Sequence, residues 1–437
     1  MKLNNNDSKG EHVLTVKNVR ALAATALLSA SMAVAAPPAT ATSLPARQAS
    51  PVPCGDVAEL IEQINKANAQ GAGSILLSAG CEYELTAPAE ASGANGLPTI
   101  TGNVTITGTQ ATITRTSATP FRIAEVASQG SLTLNGITVS GGSATDGAGT
   151  AGGGILTAGN LSLVSSRVSG NAASVLGGGI AVAAGATARL TSSTVSDNTA
   201  GDGGGIHVAS AAQLTMDRGS VHSNTADFTG GGLFTAGTTV LNSTDIRVNS
   251  TENFEGGGIF AALGSLTVYG GHVEQNEAAS AGGGIANYGS TLQLVATEVD
   301  DNDAGSDGGG LYQRDGAASL TSGQVTGNEA GGQGGGIFRA GGSVTLTGTR
   351  VADNEPDECA PPPEPSPAAR RDRWSGPSPG QCPGLGPDHR VPTRVGPRNG
   401  SSTEGGRREK RARTYSVRVI EGDCILSLDW AYGSLRV

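Results

Sequence analysis

Residues 256–276 read GGGIFAALGSLTVYGGHVEQN, and this stretch contains the pattern that decides the fold. Gly-Gly-Gly-(Ile/Leu) opens it, a short alternating segment follows, and (Val/Ile)-x-x-Asn closes it. The pattern occurs eight times, 25 to 27 residues apart. The residue after each triplet is Ile155, Ile180, Ile206, Leu233, Ile259, Ile285, Leu311 or Ile337, and the asparagines are Asn171, Asn198, Asn224, Asn249, Asn276, Asn302, Asn328 and Asn354. A repeat of this length without helical periodicity buries a core only by stacking on its neighbours.

Each repeat predicts one turn of an all-β solenoid, a single right-handed parallel β-helix. Apolar residues two apart, such as Ile206 and Val208, indicate a strand after the triplet. A Leu-x-Leu strand and a short strand that reaches the valine before the asparagine complete the turn. The pattern therefore predicts three strands and three corners per turn, with Ile, Leu and Val inside and Thr, Ser and Arg outside. We expect about 11 turns, because the repeat length is close to 26 residues.

The asparagines and the glycine triplets are both expected at corners. Asparagine tolerates the left-handed backbone conformation, and its amide can donate and accept along a column of identical neighbours. The eight asparagines are therefore predicted to form a structural ladder. The glycine triplet suits a corner with positive φ where a side chain would collide. A flexible glycine-rich linker is the alternative interpretation, but a linker carries no register of apolar residues.

Composition agrees with a thin solenoid and limits the partners. Glycine accounts for 68 of 437 residues, and aromatic residues make up only 3%. Residues 1–359 contain 15 basic and 30 acidic residues, which disfavours nucleic acid and anionic membranes as partners.

The N-terminus is typical of an exported protein. Residues 1–41 are predicted to be a signal peptide, because Lys17 and Arg20 precede an apolar run over 21–36 that is too short to span a bilayer comfortably. An uncleaved anchor is the alternative. Residues 42–53 form a Pro/Ser/Ala-rich linker. We therefore expect a secreted or extracellular protein with no membrane span after signal cleavage, or alternatively one associated with the cell surface or outer membrane.

Residues 54–85 are predicted to cap the solenoid with a helix and a first strand. Asp56 suits the N-cap of an amphipathic helix, with Glu59 three residues on as in a capping box. Cys54 and Cys81 flank this segment, and in an exported chain we expect them to form a disulfide. A metal pair is the alternative, but no histidine is nearby in the sequence.

The solenoid is expected over 86–359, with the eight regular turns beginning at about 152. The remainder, 360–437, contains 11 of the 20 prolines and 12 arginines, and the repeat stops there at once. We expect a disordered or frame-shifted tail, although a basic tail that binds acidic polymers is an alternative. Cys359 fits the body of the solenoid, Cys382 is its candidate disulfide partner, and Cys424 is left unpaired by this scheme.

These motifs resemble those of known families. GGG(I/L) paired with VxxN is similar to the repeat of polymorphic outer membrane proteins. Residues 54–359 resemble secreted bacterial right-handed parallel β-helix proteins, particularly actinobacterial ones, through Cys54, the segment Ile64-Asn65-Lys-Ala-Asn68 and the segment Leu97-Pro98-Thr-Ile100. The resemblance is specific for fold and weak for function.

No set of residues in the sequence strongly predicts a catalytic or metal-binding site. The acidic candidates are Asp300, Asp301 and Asp303 with Asp307, and farther towards the N-terminus Asp197, Asp202 and Asp217. Clustered carboxylates could serve a polysaccharide lyase through calcium or a hydrolase directly, but acids at a corner are more often solvated. Basic residues occupy unrelated repeat positions: Arg189, Arg218, Arg247, Arg314, Arg339 and Arg350. His207, His222 and His272 are not clustered in the sequence, so neither a metal nor another cofactor is expected.

We therefore predict a non-enzymatic extracellular or cell-surface scaffold, expected to be a monomer. It would bind a carbohydrate or cell-wall polymer through outward faces rich in Thr, Ser and Asp. A carbohydrate-active enzyme is the alternative function. The near-constant repeat length argues against it, because a lyase or hydrolase of this shape usually carries long loop insertions that form a cleft.

Overall fold

The computed structural model describes residues 50–89, 94–145 and 149–360, and the backbone of two further strands. The predicted signal peptide, linker residues 42–49, Cys382 and nearly all of the 360–437 tail lie outside the described residues. The two further strands, Val417–Ile420 and Asp423–Leu426, pair in antiparallel fashion with each other.

The predicted N-terminal helix is present as α1, Val57–Gln70, and it is the only helix among the described residues. The Asp56 side chain accepts a hydrogen bond from the Glu59 backbone N–H at 3.0 Å. The reciprocal half of the capping box is missing, because the Glu59 side chain accepts from Gln63 instead. Gly71 ends the helix with a φ of 77°. Leu60 and Ile64 are fully buried and join the core of the first turns.

Two contacts attach the start of the chain to the solenoid. The predicted disulfide joins Cys54 and Cys81, whose Cα atoms are 5.3 Å apart. The Asn68 side chain at the end of α1 donates to the Thr99 carbonyl and accepts from the backbone N–H groups of Thr101 and Gly102, at 2.8–3.1 Å. Asn68 therefore attaches the end of α1 to residues 99–102.

From residue 72 to residue 360 the chain winds into parallel sheets, as predicted. Each of the first seven regular turns contributes four strands rather than three, because a short strand of two to five residues follows the asparagine. The strand after the glycine triplet belongs to sheet III, the next two strands belong to sheet I, and the strand after the asparagine belongs to sheet II.

The strands fall into the three sheets as follows. Sheet I contains Ala72–Leu76, Glu82–Leu85, Asn103–Arg115, Ser131–Ser140, Asn160–Val164, Arg167–Ser169, Thr187–Thr191, Thr194–Ser196, Gln213–Asp217, Ser220–His222, Thr238–Asn242, Asp245–Arg247, Ser265–Tyr269, His272–Glu274, Thr291–Val295, Glu298–Asp300, Ala317–Thr321, Gln324–Thr326, Ser343–Thr347 and Arg350–Ala352. Sheet II contains Ser143–Ala144, Ala172–Ala173, Thr199–Asp202, Thr225–Thr229, Ser250–Thr251, Glu277–Ala278, Asp303–Ala304 and Glu329–Ala330. Sheet III contains Ala124–Val126, Ile155–Thr157, Ile180–Val182, Ile206–Val208, Leu233–Thr235, Ile259–Ala262, Ile285–Tyr288, Leu311–Arg314, Ile337–Arg339 and Cys359–Ala360.

Equivalent residues of successive turns lie in register, which confirms the all-β solenoid. In sheet III, for example, Ile259 pairs with Ile285 and Ile285 pairs with Leu311. Among the described residues sheet III has ten strands, so this part of the chain makes about ten turns where the repeat length predicted about 11. The apolar residue after every triplet is at most 1% exposed, and these side chains form part of one continuous core.

The inward positions are not all apolar. Two residues after the apolar residue, the chain places Asn287 in one turn and Gln313 in the next, and both are 0% exposed. The Asn287 side-chain amide donates to Oε1 of Gln313 at 2.8 Å, and their other amide atoms bond to Ser290 and Asp315, so both buried groups have partners. No described helix is long and apolar enough to cross a bilayer.

Candidate functional site

The eight asparagines lie in one buried column, and each is at most 7% exposed. Along the column, each of the first seven side-chain amides donates to Oδ1 of the next asparagine at 2.8–3.0 Å. The backbone N–H donates to the same oxygen at 3.0–3.1 Å. The second amide hydrogen reaches a backbone carbonyl of the preceding turn, as from Asn276 to Ile246 at 2.9 Å. This geometry supports a structural role, because the column leaves its amides no group for a ligand.

The left-handed residue of this corner is not the asparagine, contrary to the sequence-based expectation. The residue before it has positive φ, for example 54° at Gln275 and 52° at Asp301. The side chains of both residues are exposed. The corner therefore turns at the residue before the asparagine, and the asparagine itself points inward with a negative φ.

The glycine triplet and the asparagine occur together because they touch within one turn. Only the first glycine has positive φ, such as 73° at Gly256. A Cβ atom on the third glycine, Gly258, would lie 2.9 Å from Cγ of Asn276 and 2.6 Å from the carbonyl oxygen of Gly284. The third glycine therefore makes room for the amide of its own turn.

The two ends of the column use other groups. At the start, Asn171 Oδ1 accepts from the backbone N–H of Gly142, which stands where a preceding asparagine would be. At the far end, the Glu358 carboxylate accepts from the Asp353 backbone N–H at 3.0 Å and from the Asn354 side-chain amide at 2.6 Å. Glu358 thus takes the place of a ninth asparagine oxygen.

The acidic candidates near residue 300 do not converge on one point. Asp300 projects from sheet I, and Asp301 occupies the exposed corner that follows. Asp303 lies in sheet II, in register with Glu277 and Glu329. Asp307 precedes a glycine triplet and accepts from the Gln333 backbone N–H at 2.9 Å.

Two of the acids farther towards the N-terminus are held in ion pairs with neighbouring turns. Asp197 pairs with Arg167 at 3.0 Å, and Asp217 pairs with Arg189 at 2.7 Å. Both pairs have at least one half-exposed partner, so they contribute little to stability. The third acid, Asp202, accepts from the Thr229 hydroxyl at 2.5 Å and from its backbone N–H at 3.1 Å.

A row of stacked rings, here called the aromatic ridge, runs along the outer face of sheet III. Its members are His207, Phe234, Phe260, Tyr288, Tyr312 and Phe338. Successive ring centroids are 4.8–5.7 Å apart and the planes are within 29° of parallel. The faces of the rings are therefore covered by each other, and their edges form the outer surface. His207 is 8% exposed, while the other five rings are partly exposed.

A polar row lies beside the ridge at the residue that precedes the first glycine of the triplet. Asp202, Thr229 and Glu255 occupy this position in three successive turns. The Tyr288 hydroxyl donates to Oε1 of Glu255 at 3.0 Å, which connects the polar row to the ridge. The Arg314 guanidinium lies 5.2 Å from the centroid of the Tyr288 ring.

Partial burial shifts the titration of this site. Burial raises the pKa of the Asp202 carboxyl and the pKa of the Glu255 carboxyl, although hydrogen bonds from Thr229 and Tyr288 oppose the shift. Burial also raises the pKa of the Tyr288 hydroxyl, and it lowers the pKa of His207 to about 4. On sheet I, burial and the neighbouring charges of Glu274 and Asp301 raise the pKa of Asp300 to about 6.

The sequence interpretation missed the aromatic ridge. Aromatic residues make up only 3% of the chain, yet five of its twelve Phe and Tyr residues belong to the ridge. The signal was present in the repeat, because His207, Phe234, Phe260 and Phe338 each directly follow the apolar residue after the triplet. Aligning the repeats by that residue would have shown the column.

Comparison with known proteins adds little to this geometry. No protein-family model matches the chain, and no curated protein matches it. The resemblance to polymorphic outer membrane proteins and actinobacterial β-helix proteins therefore stays a prediction. Among solved structures, the crystal structure of the Dettilon tailspike protein matches with 12% identity and a TM-score of 0.31, over 67% of this chain. The matched part is 66% of the tailspike chain, less than two thirds of its length.

Proposed function

We propose that this protein is an extracellular β-helix scaffold that binds an extended carbohydrate polymer along sheet III, through the aromatic ridge and the polar row. The observation that carries the proposal is the unbroken ridge of six rings with hydrogen-bonding groups beside it. The Cys54–Cys81 disulfide fits an oxidising, extracellular compartment.

The shape of the ridge favours a long, linear ligand. Six rings on neighbouring strands span roughly 25 Å at the usual strand spacing of about 4.8 Å. The ring edges offer apolar contact for the C–H groups of sugar rings. Glu255, Tyr288 and Arg314 can hydrogen-bond to sugar hydroxyl groups at one side of that contact.

The solenoid holds this surface rigid. Each sheet III strand pairs in register with its neighbours, so the rings do not have to be ordered when a ligand binds. A surface that is already ordered loses little conformational entropy on binding. The regular turns supply many equivalent contacts and no deep cleft is needed, which suits adhesion better than catalysis.

One observation favours hydrolysis as a second candidate. Asp202 and Glu255 both have raised pKa values and occupy equivalent positions two turns apart. Two turns correspond to roughly 9–10 Å, close to the separation of about 6.5–9.5 Å used by inverting glycoside hydrolases. A carboxyl with a raised pKa can act as the general acid, and an ionised one as the base.

The binding test is affinity measurement against a panel of soluble polysaccharides, with and without calcium. For the polysaccharide that binds, Tyr312→Ala should weaken the affinity about five- to tenfold, because it removes one ring of the ridge. Tyr269→Ala is the matched control, since Tyr269 is 47% exposed on sheet I. Equal affinities for the two variants, or no binding to any polysaccharide, would contradict the proposal.

The same panel distinguishes adhesion from hydrolysis. Reducing ends and product size are followed with time for the wild type, Glu255→Gln and the exposed control Glu252→Gln. An adhesin releases no product in any of the three samples. Release that is lost only in Glu255→Gln would establish the second candidate instead.

A further inference from the structure

A cluster of ligand-forming side chains lies on the outer face of sheet I, away from the aromatic ridge. His272 and Glu274 are two residues apart on one strand, and Glu298 and Asp300 are two residues apart on the next. The register places His272 beside Glu298 and Glu274 beside Asp300. Alternation along both strands therefore brings all four side chains to the same face.

The distances within this cluster suit a small cation. Nδ1 of His272 lies 3.3 Å from Oε2 of Glu298. Ligand atoms of His272, Glu298 and Asp300 all lie within 4.8 Å of one another. Two ligands that are each about 2.0–2.1 Å from a tetrahedral zinc ion are roughly 3.3–3.4 Å apart, so the His272–Glu298 pair already has the required separation.

The cluster has an unused acceptor and an excess of negative charge. Oδ1 of Asp300 is buried and has no hydrogen-bond partner among the described residues. A buried acceptor left in this state costs free energy. Glu274, Glu298 and Asp301 all act on Asp300 as like charges, and His272 is the opposing group. A divalent cation would give Asp300 a partner and relieve this repulsion.

We propose that His272, Glu298 and Asp300 form a binding site for a divalent transition-metal ion, with Zn²⁺ the best match. One imidazole nitrogen with two carboxylate oxygens is a ligand set typical of Zn²⁺. Calcium is disfavoured, because it prefers six to eight oxygen ligands and this cluster offers a nitrogen among three ligands. Three protein ligands leave at least one coordination position open to water or to an external group.

The sequence did not predict this site, because no two histidines are close together in it. His207 lies on sheet III, and His222 and His272 lie two strands apart on sheet I, so no two of these histidines meet. Neighbouring turns are only about 4.8 Å apart, however, so the acids of the next turn complete the ligand set of a single histidine. The sequence pattern that indicates the site is His-x-Glu in one repeat and Glu-x-Asp at the same position of the next repeat.

The test is isothermal titration of the full chain with Zn²⁺, and separately with Ca²⁺, after dialysis against a chelator. We expect Zn²⁺ to bind the wild type at a site that His272→Gln and Asp300→Asn each weaken by at least about tenfold. His222→Gln is the matched control, because His222 lies on the same sheet two strands away and outside the cluster. This control should bind Zn²⁺ as the wild type does.

Stability measurements keep the result interpretable. Melting curves without metal show that His272→Gln and Asp300→Asn are folded, and Zn²⁺ should raise the melting temperatures of only the wild type and His222→Gln. The proposal is overturned if Zn²⁺ does not bind, if both cluster variants bind it as the wild type does, or if Ca²⁺ binds the cluster more tightly than Zn²⁺. None of these outcomes depends on polysaccharide binding, so the two proposals fail independently.

Discussion

Two columns run through successive turns of this solenoid, the asparagine ladder inside and the aromatic ridge outside. The ladder has the same residue in eight consecutive turns. The ridge has histidine, phenylalanine and tyrosine, and in one turn it skips its usual position. There Ala286 pairs in register with Phe260, and Tyr288, two residues later, supplies the ring.

The difference follows from the kind of contact that each column makes. A buried amide must donate and accept in fixed directions, and it lies against a glycine of its own turn, which restricts the side chains that this position can hold. Ring stacking needs only a flat group at a spacing of about 5 Å, and solvent accommodates the rest. The ladder therefore requires the same residue type in every turn, whereas the ridge requires only that flat side chains lie at the right spacing.

The strongest test of this comparison is Asn276→Ala. The change removes the hydrogen bonds to Ile246 and Asn302, and it removes the oxygen that accepts from Asn249. Several buried groups lose a partner, so we expect the free energy of unfolding to fall by about 4 kcal/mol. Chemical denaturation measures it.

The control for this prediction is Asp301→Asn in the same corner of the neighbouring turn. Its side chain is exposed and asparagine also tolerates the left-handed backbone, so the expected cost is below about 0.5 kcal/mol. A similar loss of stability in the two variants would show that the asparagine column is not the element that holds this corner.

The second prediction concerns His207, the one member of the ridge that is nearly as buried as the ladder. Burial lowers its pKa from 6.5 to about 4, so between these pH values the unfolded chain binds a proton that the folded chain does not. Its contribution to stability is therefore complete above pH 6.5 and is lost as the pH falls towards 4, by at most about 3 kcal/mol. Denaturation at pH 7 and at pH 4.5 measures this loss.

His207→Phe is the variant that isolates the effect, because phenylalanine keeps the stack with Phe234 and does not titrate. The raised pKa values of Asp202 and Glu255 act in the opposite sense, since those groups favour the folded state at low pH, and they are common to both proteins. The wild type should lose more stability than His207→Phe on acidification. An identical pH dependence would show that the first ring of the ridge is accessible to solvent in solution.

The smallest expected effect is at the end of the ladder. Glu358→Ala removes the carboxylate that accepts from Asp353 and Asn354, and we expect it to cost about 1 kcal/mol because this turn is partly exposed. Thermal melting measures the change, with Glu355→Ala as the exposed control. If the two variants melt together, the last amide is satisfied by water and the ladder needs no terminal acceptor.

The sequence by itself determined the repeat, the solenoid, the N-terminal helix and the Cys54–Cys81 disulfide. It could do so because stacking places equivalent residues of each repeat on neighbouring strands. Residues one repeat apart in the sequence are then in contact in the structure. The inward direction of Ile259 and Ile285 follows from alternation alone, and nothing outside their own strands is needed to assign it.

Only the tertiary structure decided which residues meet across turns and around corners. Gly258 lies against Asn276, 18 residues later, and the corner turns at Gln275 rather than at the asparagine, because the path of the chain between them sets both. His272 meets Glu298 and Asp300, and Tyr288 reaches Glu255, because strands of adjacent turns are only about 4.8 Å apart. The side chains that form a site in this solenoid therefore come from adjacent turns, stacked along its axis, and lie about 26 residues or more apart in the sequence.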